Sequence, residues 1–193
     1  MRLIEIETGD RMKTRMLFGF VSAVSGMRLP DAARVAMYHP DFAGPALNAW
    51  THEAMRGDSA WSPAERELMA AMVAQWNSCP FCIGAHSAVA VHGMDPELVR
   101  ATLEDYQTAR IPEPLRAALV FLEKLTRDPD HVSASDARAA FEAGVTREQL
   151  EDAAAVGAVF AVITRYANAL GFDIPSTADF AKASNRLWKR GYA

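Results

Sequence analysis

The two cysteines of this 193-residue sequence stand three positions apart, in Cys79-Pro80-Phe81-Cys82, and His86 follows four positions after the second. On an α-helix, spacings of three, four and seven keep side chains on one face, so a thiol, a second thiol and an imidazole share one stripe. A free thiol has a pKa of about 8.5 and is mostly protonated at neutral pH, whereas the thiolate is the reactive form. Two devices can lower that value: the positive end of a helix beginning near Ser78-Cys79-Pro80, and the imidazole one turn beyond Cys82. The chemistry in view is therefore thiol redox chemistry. A peroxide oxygen attacked by one sulfur leaves a sulfenic acid, which a second thiol within reach condenses to a disulfide.

The elements that must position these groups read as a helix pair. Pro63 to Trp76 forms one helix and Cys79 to His92 the next, with only Asn77-Ser78 between them, a connection that favours antiparallel packing. Counted from Asn77, Glu67 lies ten residues before the turn and His86 nine after it. The two should stand level across the hairpin, giving a proton path from Cys82 through His86 to Glu67, direct or through one water.

Taken singly, these features have other readings. A Cys-x-x-Cys pair can be a metal knuckle, and a lone helical His is usually a satisfied core residue. For zinc, the only other nearby ligand is His92, ten residues beyond Cys82 and about 15 Å along the same rod. No metal is expected. His39, His52 and His131, beside Pro or acidic residues, read as surface or loop positions. Trp50, Trp61 and Trp76 read as core or interface aromatics, and Met12, Met16, Met27, Met37, Met55, Met69 and Met72 as gap-fillers.

The rest of the chain carries helical periodicity, apart from Leu3 to Glu7, whose apolar-polar alternation suggests a short extended arm. Pro recurs where helices should start, as in His39-Pro40, Ser62-Pro63 and Asp95-Pro96. Ser62 to Glu65 and Thr146 to Gln149 match the capping box, while Gly93 and Gly171 fit the left-handed position that ends helices. The helix from Thr146 to Leu170 is apolar on every face between Ala153 and Ile163, which requires burial all round, by a central position or by a subunit interface. The expectation is an all-α helical bundle of about ten helices, a single domain over residues 1–193.

Glu67, Cys79-Pro80-Phe81-Cys82 and His86, with eleven residues between Glu67 and Cys79, closely resemble the core motif of the alkylhydroperoxidase D family, within the carboxymuconolactone decarboxylase-like superfamily. The resemblance is strongest over residues 61–93, from Trp61-Ser62-Pro63 through Gly84-Ala85-His86-Ser87-Ala88. It extends more loosely through Thr146 to Phe172, including Arg165-Tyr166-Ala167-Asn168-Ala169-Leu170-Gly171. It implies an all-α fold, a homo-oligomer (trimer or hexamer) and cofactor-free, thiol-dependent reduction of alkyl or hydrogen peroxides. By position, Cys82 would meet the peroxide, Cys79 would resolve it, and His86 with Glu67 would relay the proton. One departure is Phe81, at a place where better-known members can carry His.

Composition narrows the partners. A net charge of −4 and the absence of a Lys/Arg stripe argue against nucleic acid. The longest unbroken apolar runs, Met16 to Val21 and Ala153 to Ile163, fall short of the ~20 residues that span a bilayer. Glu5, Glu7 and Asp10 stand where a signal peptide would be basic. A soluble, cytoplasmic protein is expected, using a peroxide and, because no third cysteine exists, an external dithiol or protein reductant. Three other readings stand beside this one: a disulfide reductase or redox sensor, a decarboxylating lyase of small lactone acids in which the thiols are incidental, and a non-catalytic helical module.

Overall fold

Proline and side-chain caps set most of the helix starts. The computed structural model describes residues 1–192, and among them it holds twelve α-helices, one 3-10 turn and no strand. In order these are α1 (Ile4–Thr8), α2 (Met12–Ser25), α3 (Asp31–Tyr38), α4 (Pro40–Ala43), α5 (Pro45–Arg56), α6 (Pro63–Trp76), α7 (Pro80–Ala90), α8 (Pro96–Asp105), α9 (Glu113–Arg127), the 3-10 turn Pro129–His131, α10 (Ala134–Glu142), α11 (Arg147–Leu170) and α12 (Thr177–Arg190). Pro40, Pro45, Pro63, Pro80 and Pro96 each occupy the first helical position, where the missing N–H costs nothing.

Both expected capping boxes form: Ser62 and Glu65 at α6, Thr146 and Gln149 at α11. A third, Ser133 with Asp136 at α10, escaped the Glu/Gln pattern because Asp takes the reciprocal place. Gly171 ends α11 in the left-handed conformation, as expected. Gly93 does not. It lies past the end of α7 without positive φ, where a Cβ would stand 2.8 Å from Ala64 Cβ and 2.9 Å from Trp188. Close approach, not chain reversal, selects glycine there. Leu3 to Glu7 is mostly helical, forming α1, because five residues cannot distinguish a strand alternation from a single amphipathic turn.

The helix at the centre is α6. Leu68, Met69, Ala70, Ala71, Met72, Val73 and Ala74 are all fully buried. It packs on Leu115, Leu119 and Leu122 of α9 and on Ala153, Val156, Val159 and Phe160 of α11. Burying each large aliphatic side chain is worth about 1.5–3 kcal/mol. α11 falls short of its expected all-round burial: Ala158 is exposed and Ala154, Ala155, Ala161 and Val162 are half-buried. Its partners α6, α9 and α5 leave one side open. Among the described residues α11 is the one helix long and apolar enough to cross a membrane, but its inner face forms this core.

The apolar surface is concentrated at the N-terminal helices. Met12, Met16, Phe20 and Val24 on α2 are 67–72% exposed, so Met12 and Met16 fill no gap. Met55, Met69 and Met72 do, each essentially fully buried.

Candidate active site

α6 and α7 form the expected hairpin. Ser78 adopts φ +52°, a left-handed conformation rare for a side-chain-bearing residue, and so reverses the chain within the turn. The turn is tied on both sides: Cys79 N–H donates to the Ala74 carbonyl at 2.9 Å, and Asn168 of α11 donates its side-chain amide to the Asn77 carbonyl at 2.9 Å. α7 then starts at Pro80 with Cys79 as its N-cap residue.

The two sulfurs lie 2.8 Å apart, reduced and buried, in an apolar cluster with Ala74, Phe81 and Ala167. Phe81 turns away from the thiol chemistry to meet Phe172 edge-on at 5.1 Å and Phe180 at 6.0 Å, which closes the cluster from α12. Gly84 permits that closure, since a Cβ there would stand 2.5 Å from the Phe180 ring.

The thiol charges are arranged opposite to the sequence expectation. The sulfur–sulfur hydrogen bond between Cys79 and Cys82 pulls the Cys79 thiol down; burial opposes this and the Cys82 and Phe81 backbone amides at the helix start assist it. The same hydrogen bond, burial and the neighbouring Cys79 charge push Cys82 up. The shifts make Cys79 the more acidic of the two thiols. Nor does His86 bond directly to either sulfur among the described residues, so the direct form of the expected relay is absent.

Glu67 and His86 meet as the hairpin count predicts, with Oε2 2.7 Å from Nδ1. Three further side chains complete this centre. Arg56 Nη2, from the last turn of α5, donates to Glu67 Oε1 at 2.6 Å, and the Tyr192 hydroxyl donates to the same oxygen at 2.7 Å. Phe160 of α11 lies edge-on to the His86 ring at 4.5 Å and holds its plane. Burial alone would raise the Glu67 pKa, but the hydrogen bond from His86, the Arg56 guanidinium and the Tyr192 hydroxyl outweigh it and hold the carboxyl below its usual range. An ionised carboxylate only accepts, so His86 Nδ1 donates the proton in this bond.

None of Arg56, Phe160 and Tyr192 was singled out from the sequence as a site residue. His52 also differs from its expected loop position: it sits half-buried in α5 and accepts the Tyr192 backbone N–H at 3.2 Å. His92 is engaged by Ser184 of α12 at 2.9 Å and stacks on Trp188.

Residues 43–119, which include Arg56, Glu67, both cysteines and His86, match the carboxymuconolactone decarboxylase family. Over nearly the whole chain, the structure is similar to the alkylhydroperoxidase AhpD core of an uncharacterized peroxidase-related protein from Ralstonia eutropha JMP134, with a TM-score of 0.74, 26% identity and 90% of each chain covered. In its matched segment and in its fold, the chain is alkylhydroperoxidase D-like. A second uncharacterized peroxidase-related protein, from Silicibacter sp. TM1040, has a TM-score of 0.72 and 25% identity, over 89% of this chain and 88% of that one. The debrominase Bmp8, solved with 2,3,4-tribromopyrrole, shares the fold at a TM-score of 0.68 and 18% identity, over 89% and 90% of the two chains. No curated protein matches by sequence. Phe160 and Tyr192 lie outside the matched family segment.

Proposed function

We propose that the protein is a thiol-dependent peroxidase that reduces alkyl or hydrogen peroxides through Cys79 and Cys82. The observation that carries this reading is the 2.8 Å dithiol at a helix start beside a His86 held by an ionised Glu67. Cys82 lies one turn before His86, and as its sulfur attacks the peroxide its proton goes to the departing alkoxide, directly or by way of Cys79. The O–O bond breaks, Cys82 becomes a sulfenic acid, and the alcohol leaves with that proton. Cys79 then condenses with the sulfenic acid, releasing water and forming the disulfide. In sum, two thiols and one peroxide give one disulfide, one alcohol and one water. An external dithiol restores the pair by thiol–disulfide exchange.

In this scheme Glu67 orients and does not relay. Its low pKa makes it a poor proton acceptor, and its service is to fix the His86 tautomer, as a buried carboxylate does in other nucleophile–histidine sites. The apolar walls of Phe81, Phe172 and Phe180 favour organic hydroperoxides over hydrogen peroxide.

A second reading, a disulfide reductase, draws on the lowered Cys79 pKa at the helix start, which is how thioredoxin-like dithiols attack disulfides. Turnover with a small dithiol as reductant separates the two. Faster consumption of cumene hydroperoxide than of a protein disulfide supports the peroxidase; the reverse supports the reductase.

A further inference from the structure

The segment Gly191–Tyr192 after α12 has no part in the scheme above, yet its side chain enters the centre of the site. Gly191 has φ +67°, and a Cβ there would stand 2.7 Å from the His52 ring. Only glycine makes this turn without displacing α5. It sends Tyr192 back across the bundle, where its N–H is taken by His52 and its ring lies 5.3 Å beneath the Arg56 guanidinium. The hydroxyl then donates to Glu67 Oε1 at 2.7 Å and lies 3.3 Å from His86 Nδ1, with the phenol ring stacked on the imidazole at 6.2 Å.

We infer that Tyr192 is a positioning residue: with Arg56 it engages Glu67 Oε1, so that Oε2 is left to His86 and the carboxylate stays ionised. The geometry gives the reason. A carboxylate offers about four lone-pair sites, and a fully buried one must have them filled to remain charged. Arg56 and Tyr192 satisfy Oε1 from two different elements, and His86 is the only partner on Oε2 among the described residues. Among the described residues, Tyr192 is also the sole group within hydrogen-bond distance of both members of the Glu67–His86 pair. Without it, the carboxylate has one donor fewer and freedom to rotate away from the imidazole. The charged and titratable groups facing the phenol are Arg56 and His52 of α5, Glu67 of α6 and His86 of α7. Burial and the adjacent Glu67 carboxylate raise the Tyr192 pKa well above that of a free phenol, so it donates throughout the working range.

The inference relies on the peroxidase reading only for the reaction that this positioning serves, and the test keeps the two apart. The chain has four tyrosines. In an ultraviolet titration, the difference between wild type and Tyr192→Phe isolates the phenol at 192. It should stay un-ionised well beyond the ordinary tyrosine range, and Glu67→Gln should bring its ionisation down. Should that variant fail to fold, Gly191→Ala, whose Cβ would push the turn away from His52 and Arg56, should bring the phenol into the ordinary range. A phenol that ionises in the ordinary tyrosine range, or that is indifferent to these changes, would overturn the assignment.

The second arm is kinetic. Tyr192→Phe should slow peroxide-driven disulfide formation about tenfold, the order expected for losing one hydrogen bond to a charged group. The loss should fall on the rate constant and not on KM, with the acid limb of the pH profile moved upward. An unchanged rate and profile would also overturn the assignment. A wild-type protein inert towards peroxide would remove the functional reading, and the phenol titration would then decide the place of Tyr192 on its own.

Discussion

Glu67 Oε2 and His86 Nδ1 lie 2.7 Å apart across the α6–α7 hairpin, nineteen residues apart in the chain and both buried. That bond joins the two helices at the level of the dithiol, and its carboxylate is shared with Arg56 and Tyr192. The account stands or falls on whether this centre serves the sulfurs.

Glu67→Gln leaves the Arg56 guanidinium, only 11% exposed, without its anion. Stranding a buried charge costs about 3–5 kcal/mol. The single variant should therefore lose stability on that scale in urea unfolding, whereas Arg56→Met with Glu67→Gln should recover a large part of it. Strictly additive losses in the double variant would show that the two residues are not coupled.

The pH dependence follows from the sign of the Glu67 shift. Its folded pKa is depressed, so it contributes stability that is fully present above the ordinary carboxylate pKa of about 4.3 and is lost as the pH falls through the lower folded value. Stability measured from neutral pH downward should fall in that acid window. A variant with Gln at 67 should show a shallower fall, and an identical slope would contradict the assignment.

Much of this arrangement was readable from the sequence, and the reason lies in local chemistry. Ser62 and Thr146 announce their helices through bonds made within four residues, and the Cys79, Cys82 and His86 stripe follows from helical spacing alone. The level placing of Glu67 needed only the two-residue gap of the turn. Tyr192 was not readable, because it reaches Glu67 from 125 residues away and no local pattern encodes that contact. Arg56 is closer in sequence but sits on a different helix, ahead of a loop whose path the composition does not fix. The opposite pKa shifts of the two thiols were not readable for a related reason. Spacing showed an imidazole one turn from Cys82, but the 2.8 Å sulfur contact and the helix-start amides around Cys79 are matters of rotamer and burial.

The two cysteines should fail differently. Cys82→Ser should abolish peroxide consumption even in a single turnover, whereas Cys79→Ser should attack once and leave a sulfenic acid that dimedone traps. Because Cys79 helps to carry the Cys82 proton in this scheme, the trapped species should form more slowly in Cys79→Ser than the disulfide forms in wild type. Trapping in Cys82→Ser alone would exchange the two roles. Consumption like wild type in both variants would end the peroxidase reading.

The open side of α11 and the exposed Met12, Met16, Phe20 and Val24 of α2 together make an apolar surface unusual for a monomer. A second copy of the chain, in a closed trimer or hexamer, is the expected cover. Light scattering should give a multiple of the 21.1 kDa chain mass, and Phe20→Glu with Met16→Glu should lower it. A monomer at micromolar concentration would contradict this.

The most direct measurement is a titration of the reduced protein with one equivalent of cumene hydroperoxide, followed by a count of free thiols and the mass of the peptide carrying Cys79 and Cys82. Both thiols should disappear together, with one alcohol released per chain and the peptide lighter by two hydrogens, as an intramolecular disulfide requires. Two thiols surviving an equivalent of peroxide, or thiols lost to higher oxides with no disulfide, would contradict the dithiol mechanism.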